Sequence, residues 1–176
     1  MAIAVSATAT LYAQPTPSLS IHPKDAKPIA SPRDSIVATL QNGTTITMTY
    51  GIPGVWGRTM GKDLDPMEDS VWRAGANEAT TFAVDKDVTV EGQKLPAGRY
   101  ALFTVKHGNE WTLIFNKVWN TWGAYSYKQN MSQDALKVKV QQLDAQYFNE
   151  RLKYVIGPDG HVYLMWGPAV VMFKVS

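Results

Sequence analysis

Alternation of apolar and polar residues constrains this chain more than any other feature. Between positions 44 and 50, Ile46, Met48 and Tyr50 share one parity and Thr45, Thr47 and Thr49 the other. Successive side chains of a strand point to opposite faces, so this segment offers one face to a core and one to solvent. A shorter apolar run at 35–40 precedes it, with Asn42-Gly43 between the two. Asn-Gly flanked by such runs predicts a hairpin, because both residues tolerate positive φ in a type I′ turn.

The same grammar continues. Strands are expected at 35–40, 44–50, 80–84, 88–90, 99–105, 111–116, 136–143, 147–156, 161–166 and 170–175. Asp85-Lys86-Asp87, Glu91-Gly92, His107-Gly108-Asn109 and Gly157-Pro158-Asp159-Gly160 punctuate them as turns. The best helical window is 132–146, with Ser132 and Asp134 as caps, but its Lys137-Val138-Lys139-Val140 alternation argues for a strand. Ten short strands at this spacing predict an all-β fold, an antiparallel β-sandwich of jelly-roll-like or Greek-key type. The segment Leu95-Pro96-Ala97-Gly98-Arg99-Tyr100 fits that construction, as a turn that sends the Tyr100 ring into the core.

A chain of 176 residues fits one domain with one core. Its net charge of +2 is small and dispersed, which argues against nucleic acid as a partner and against a polybasic membrane patch. The absence of cysteine removes disulfides, thiolate nucleophiles and Cys-based zinc sites. Positions 1–13 carry no charge and read as the remnant of a signal peptide cleaved after Ala13, its basic end lost to a late start. Pro15, Pro17, Pro23 and Pro28 make 14–30 an extended spacer, and the folded domain is expected over 31–176. The localisation this implies is periplasmic or secreted. No other segment has the ~18 apolar residues of a membrane span.

Two long connections interrupt the strands. Positions 51–70 hold Trp56, Arg58 and an acidic stretch, and positions 117–133 hold Trp119, Trp122, Tyr125 and Tyr127. Loops of this length in a compact domain are either functional or disordered, and aromatic content disfavours disorder. Between them lies the run Val71-Trp72-Arg73-Ala74-Gly75-Ala76-Asn77-Glu78-Ala79-Thr80-Thr81. It concentrates an indole, a guanidinium, a carboxamide, a carboxylate and two hydroxyls, groups that are expensive to bury unless satisfied.

Several stretches together carry a resemblance. They are Ser31-Pro32-Arg33, Tyr50-Gly51-x-Pro53 with Gly57-Arg58 and Gly61, and Val71-Trp72-Arg73-x-Gly75-Ala76-Asn77-Glu78-x-Thr80. Gly92-x-x-Leu95-Pro96-Ala97-Gly98-x-Tyr100, Trp111 with Asn116, and Trp122-Gly123-x-Tyr125 follow. In order and spacing these resemble the bacterial family catalogued as domain of unknown function 2911, over 31–176. The resemblance implies an exported β-rich domain and supplies no activity. Extra length at 62–70 departs from the family pattern.

The candidate ligand-binding set is Arg58, Trp72, Arg73, Asn77, Glu78, Trp122 and Tyr125. In one reading Arg73 grips an anion or sugar hydroxyls, Asn77 and Glu78 fix orientation, and Trp122 and Tyr125 form a wall. In the other, Arg73 pairs with Glu78 or with an acid from 63–69, and the run is a knot that pins the loop to the sheet. The Trp and Tyr side chains are likewise either stacking platforms or a small core beneath the loops. Metal ligation has no support: His22, His107 and His161 lack partners at ligand spacing, and Asp63-x-Asp65-x-x-Glu68-Asp69 does not follow an EF-hand. No cofactor is expected, since neither a phosphate-cradling Gly loop nor a dinucleotide fingerprint occurs. The functional expectation is a non-catalytic domain for a small polar ligand such as a saccharide. The alternatives are a hydrolase or lyase using Glu78 as acid or base, paired for instance with Asp69, and a structural envelope protein with no ligand.

Overall fold

In the computed structural model, which describes residues 31–176, the chain forms ten strands and one short helix. The expected signal remnant and Pro-rich spacer lie outside the described residues. The strands are β1 (Arg33–Thr39), β2 (Thr45–Gly51), β3 (Val71–Trp72), β4 (Thr80–Val84), β5 (Val88–Val90), β6 (Gln93–Leu95), β7 (Gly98–His107), β8 (Glu110–Asn116), β9 (Asp134–Ile156) and β10 (His161–Lys174). Helix α1 (Tyr127–Asn130) and a 3-10 turn (Met131–Gln133) precede β9. Eight strands form one antiparallel sheet in the order β1-β2-β4-β7-β8-β9-β10, with β3 beside β7, and β5-β6 is a separate hairpin. The sheet curls over its own core, which gives an all-β, antiparallel, sandwich-like architecture.

The hairpin at Asn42-Gly43 forms, with a different turn from the one expected. Leu40 N–H donates to Thr44 O at 2.8 Å, so three residues, not two, make the loop. Only Gly43 has positive φ (78°), and Gly43 N–H closes the turn on Leu40 O. This is the pattern of a type I turn followed by a left-handed glycine. The strand count of ten is met by different strands. The two expected at 136–143 and 147–156 are one strand, β9, and those at 161–166 and 170–175 are one strand, β10. Between their paired residues 153/165 and 144/169, nine steps along β9 face four along β10. The surplus is taken up in bulges, which bend a strand without ending it. Gly167 and Pro168 sit at that bend, where a missing N–H is tolerated. The two additions are β3 and β6, too short to show a period.

Alternation does its work on the inner face. Ile46 and Met48 from β2, Phe82 from β4, Leu113 and Phe115 from β8, and Val171 and Phe173 from β10 share one buried cluster. Phe82, Phe115 and Phe173 meet at centroid distances of 5.2–6.1 Å, and Tyr100 enters the same core as expected. The opposite face of β7 and β8 is covered too. There Phe103, Ala101 and Ile114 pack under Tyr127 and Ala79, with Tyr127 5.2 Å from Phe103. The 117–133 connection is therefore a cover over the outer sheet face, anchored by one buried tyrosine. Among the described residues no helix is long and apolar enough to cross a membrane.

Candidate functional site

The run at 71–81 is divided by its own strand geometry. Trp72 pairs with Thr104 in the β3-β7 ladder and points inward. It is 2% exposed. Its ring stacks on Trp166 at 5.5 Å and meets Trp111 edge-on at 6.3 Å. The indole N–H donates to Gly75 O, which folds the chain tightly back beneath it. Trp72 therefore belongs to the core, and the expectation that it lines a ligand site does not fit its burial.

The next residues form a buried hydrogen-bonded knot. Ala74 has φ of +53°, an uncommon conformation for a residue with a side chain. Its carbonyl accepts from the hydroxyls of Thr80 and Tyr154, at 2.9 and 2.8 Å. Two donors on one carbonyl over-determine the strained residue. Burial pushes the Tyr154 phenol well above its ordinary range, so its hydroxyl stays protonated and donates. Tyr154 also meets Tyr50 edge-on at 4.7 Å. Gly51 allows the run to lie against β2, since a methyl there would fall 2.2 Å from Ala76 O.

Asn77 and Glu78 turn outward. Asn77 takes positive φ (63°), which asparagine tolerates better than most residues, and its amide donates to Ser31 O. Glu78 is half-exposed and pairs with Arg33 at 2.8 Å. Its charged partner is thus neither Arg73 nor a second carboxylate such as Asp69, which instead binds His107. Arg73 leans toward Asp65, at 3.9 Å, with Nε buried and unbonded among the described residues. The Arg73–acid pairing expected from 63–69 is met, weakly, and the Arg73–Glu78 alternative is not. Arg58 serves its own loop, donating to Val55 O and Gly54 O. Beside it, Arg151 lies over the ring of Trp56 at 5.0 Å.

The 117–133 connection reaches this outer edge. Glu78 and Trp122 form an antiparallel bridge, supported by Ala79 N–H to Thr121 O at 3.0 Å and Gly123 N–H to Asn77 O at 2.9 Å. Further anchors lie on either side. Asn116 Oδ1 accepts from Val118 N–H, and Tyr127 OH donates to Asp134. Between these ties the aromatics stand outward: Trp119 is 38% exposed, Trp122 61% and Tyr125 79%. The Arg99 guanidinium covers one face of Trp119 at 4.8 Å. The Tyr125 ring lies close over the Gly123 backbone, where a methyl would approach it to 2.9 Å.

The seven expected residues thus do not line one pocket. Asn77, Glu78, Trp122 and Tyr125 come together, while Trp72, Arg73 and Arg58 are engaged elsewhere. The sequence reading missed Arg33 as the partner of Glu78. The hairpin register contains the signal, because it sets Arg33 opposite Gly51. Among the described residues no three His, Asp or Glu side chains gather as a metal site.

No curated protein and no solved structure matches the chain. A family described as "Protein of unknown function (DUF2911)" matches residues 31–175, nearly the whole chain, and the chain belongs to that family.

Proposed function

We propose that the chain is an exported, non-catalytic domain that binds a saccharide on the platform of Trp122 and Tyr125. One observation carries the reading: anchors and displayed aromatics alternate along 117–127. Backbone or buried ties hold 118, 121, 123 and 127, and the rings at 119, 122 and 125 point away between them. A rigid loop that keeps large rings in water leaves them for a partner. The apolar face of a sugar ring suits an aromatic platform with a polar rim, and Arg33, Glu78 and Asn77 supply donors and acceptors beside it. The pairing of Glu78 with Arg33 favours holding over acid–base work. Export rests on the uncharged run at 1–13.

The test is a titration of mono- and oligosaccharides followed by intrinsic fluorescence. Wild type should respond, and Trp122→Ala should not while melting as wild type does. No response to any sugar overturns the reading. For export, the mass of the chain isolated from its source should correspond to a start at Gln14, and an intact N-terminus would contradict it.

A further inference from the structure

We propose that the end of the sheet away from the platform loop holds a second site, which takes a small single-ring carboxylate of benzoate size. The site is independent of the saccharide reading. Trp111 stands near the start of β8, and Asn116, which anchors the 117–133 connection, closes that strand, so the two places lie at its opposite ends. At the Trp111 end is a partly enclosed cavity of about 160 Å³. Met60 and Pro66 reach it from the connection between β2 and β3, Trp111 from β8, and Pro168 and Ala169 from β10. Met60 packs on the bare backbone of Gly167, where a methyl would fall 2.2 Å from its sulfur. An apolar cavity of roughly 150 Å³ takes up benzene, so this one has room for a single ring.

The polar side chains of the wall decide the charge of the occupant. There are two, Lys106 and Gln142, and both offer donors. The Trp111 indole N–H donates to Gln142 Oε1 at 3.1 Å. An indole nitrogen can only donate, so Gln142 gives it the carbonyl oxygen and keeps its NH2 for another partner. Lys106 directs one of its three donors to Glu68, at 2.9 Å. The acids of the neighbouring connection are each engaged already: Asp63 by Thr59 N–H, Asp65 by Arg73, Glu68 by Lys106 and Asp69 by His107. None of them lines the cavity. Unpartnered donors continue beneath Trp111. Trp72 lies 6.3 Å from it, stacks on Trp166 and pairs with Thr104, and Trp166 Nε1 and Thr104 Oγ1 are buried without a partner among the described residues. A ring-sized apolar cavity edged by a cation and an amide donor suits an anion with an apolar body. Its ring would rest against Trp111, and its carboxylate would accept from Lys106 and Gln142 in charge-assisted hydrogen bonds.

The experiment is calorimetric titration of the full chain with benzoate, benzamide, toluene and acetate, with tryptophan emission followed in parallel. Benzoate should bind, change the emission and exceed the other three in affinity by about tenfold or more. Gln142→Glu keeps an acceptor for the indole N–H and puts a carboxylate oxygen where the free donor was. It should melt as wild type does and bind benzoate at least about tenfold more weakly. Lys106→Met leaves the indole bond untouched and should weaken benzoate by the same order. Trp122→Ala should bind it as wild type does. No binding of benzoate, or binding unchanged in both Gln142→Glu and Lys106→Met, overturns the site. Benzamide or toluene bound as tightly as benzoate overturns the choice of an anion, and acetate bound as tightly overturns the choice of a ring. Loss of benzoate binding in Trp122→Ala would move the ligand to the platform and overturn the proposal as well.

Discussion

Trp72 and Trp122 carry the same indole and both attach to one stretch of chain, yet Trp72 is 2% exposed and Trp122 61%. Trp72 stacks on Trp166 and ties its N–H to Gly75 O. Trp122 is held by its backbone, through the bridge to Glu78, and its ring is left over. The boundary between the two regimes falls at Ala76–Asn77, where the chain takes a second positive φ and turns outward. Residue type therefore says little about role here. What distinguishes a core side chain from a displayed one is whether the side chain or only the backbone makes the attachment.

That contrast is breakable by substitution. The largest effect belongs to Trp72→Ala, which removes a buried ring from a three-tryptophan cluster and should lose about 3–5 kcal/mol by urea unfolding. Gly51→Ala comes next, since its methyl would press on the Ala76 carbonyl. Overpacking between two backbones should cost up to about 3 kcal/mol. Tyr154→Phe leaves Ala74 O with one donor instead of two and should cost about 1 kcal/mol. Arg33→Ala removes only a half-exposed ion pair, and its cost should stay under about 1 kcal/mol. If its cost matched that of Trp72→Ala, the outer edge would be part of the knot and the division would fail.

The smallest effect is one of pH, at the far end of the long acidic connection. Asp69 accepts from His107 at 2.8 Å, and Glu68 binds Lys106 at 2.9 Å and the Gly108 N–H. The hydrogen bond to Asp69 and its charge raise the His107 pKa above 6.5, with Glu68 and Glu110 adding to the rise. A raised folded-state value means that the stabilisation is complete below the unfolded value and is lost as pH rises through the folded one. Glu68 is shifted the opposite way, by its bonds to Lys106 and Gly108, so its contribution is lost on acidification below 4.5. The melting temperature should therefore fall slightly from about pH 6 to pH 8. His107→Asn should flatten that slope; an unchanged slope would assign it to other groups.

Much of the fold was legible because it is written locally. Period-two alternation located eight of the ten strands at least in part, and the turn residues separated them. The parts that stayed hidden depend on distant partners. Nothing within 71–72 marks a two-residue strand, since β3 pairs with Thr104 and Val105 on the edge of β7 that β4 leaves beyond Leu102. The expected break in β9 at 144–146 becomes a bulged bend because β10 continues alongside it. In the site, the polar composition of 71–81 pointed to a special segment, and it holds both a knot and an edge. Which residue faced which way was fixed by Tyr154 and Trp166, more than seventy positions away.

The most direct test of the division is the urea midpoint of Trp122→Ala set beside wild type. With its ring in water and its backbone ties intact, the variant should unfold within about 0.5 kcal/mol of wild type. A loss approaching that of Trp72→Ala would mean that the Trp122 ring supports the fold, and the platform reading would be contradicted.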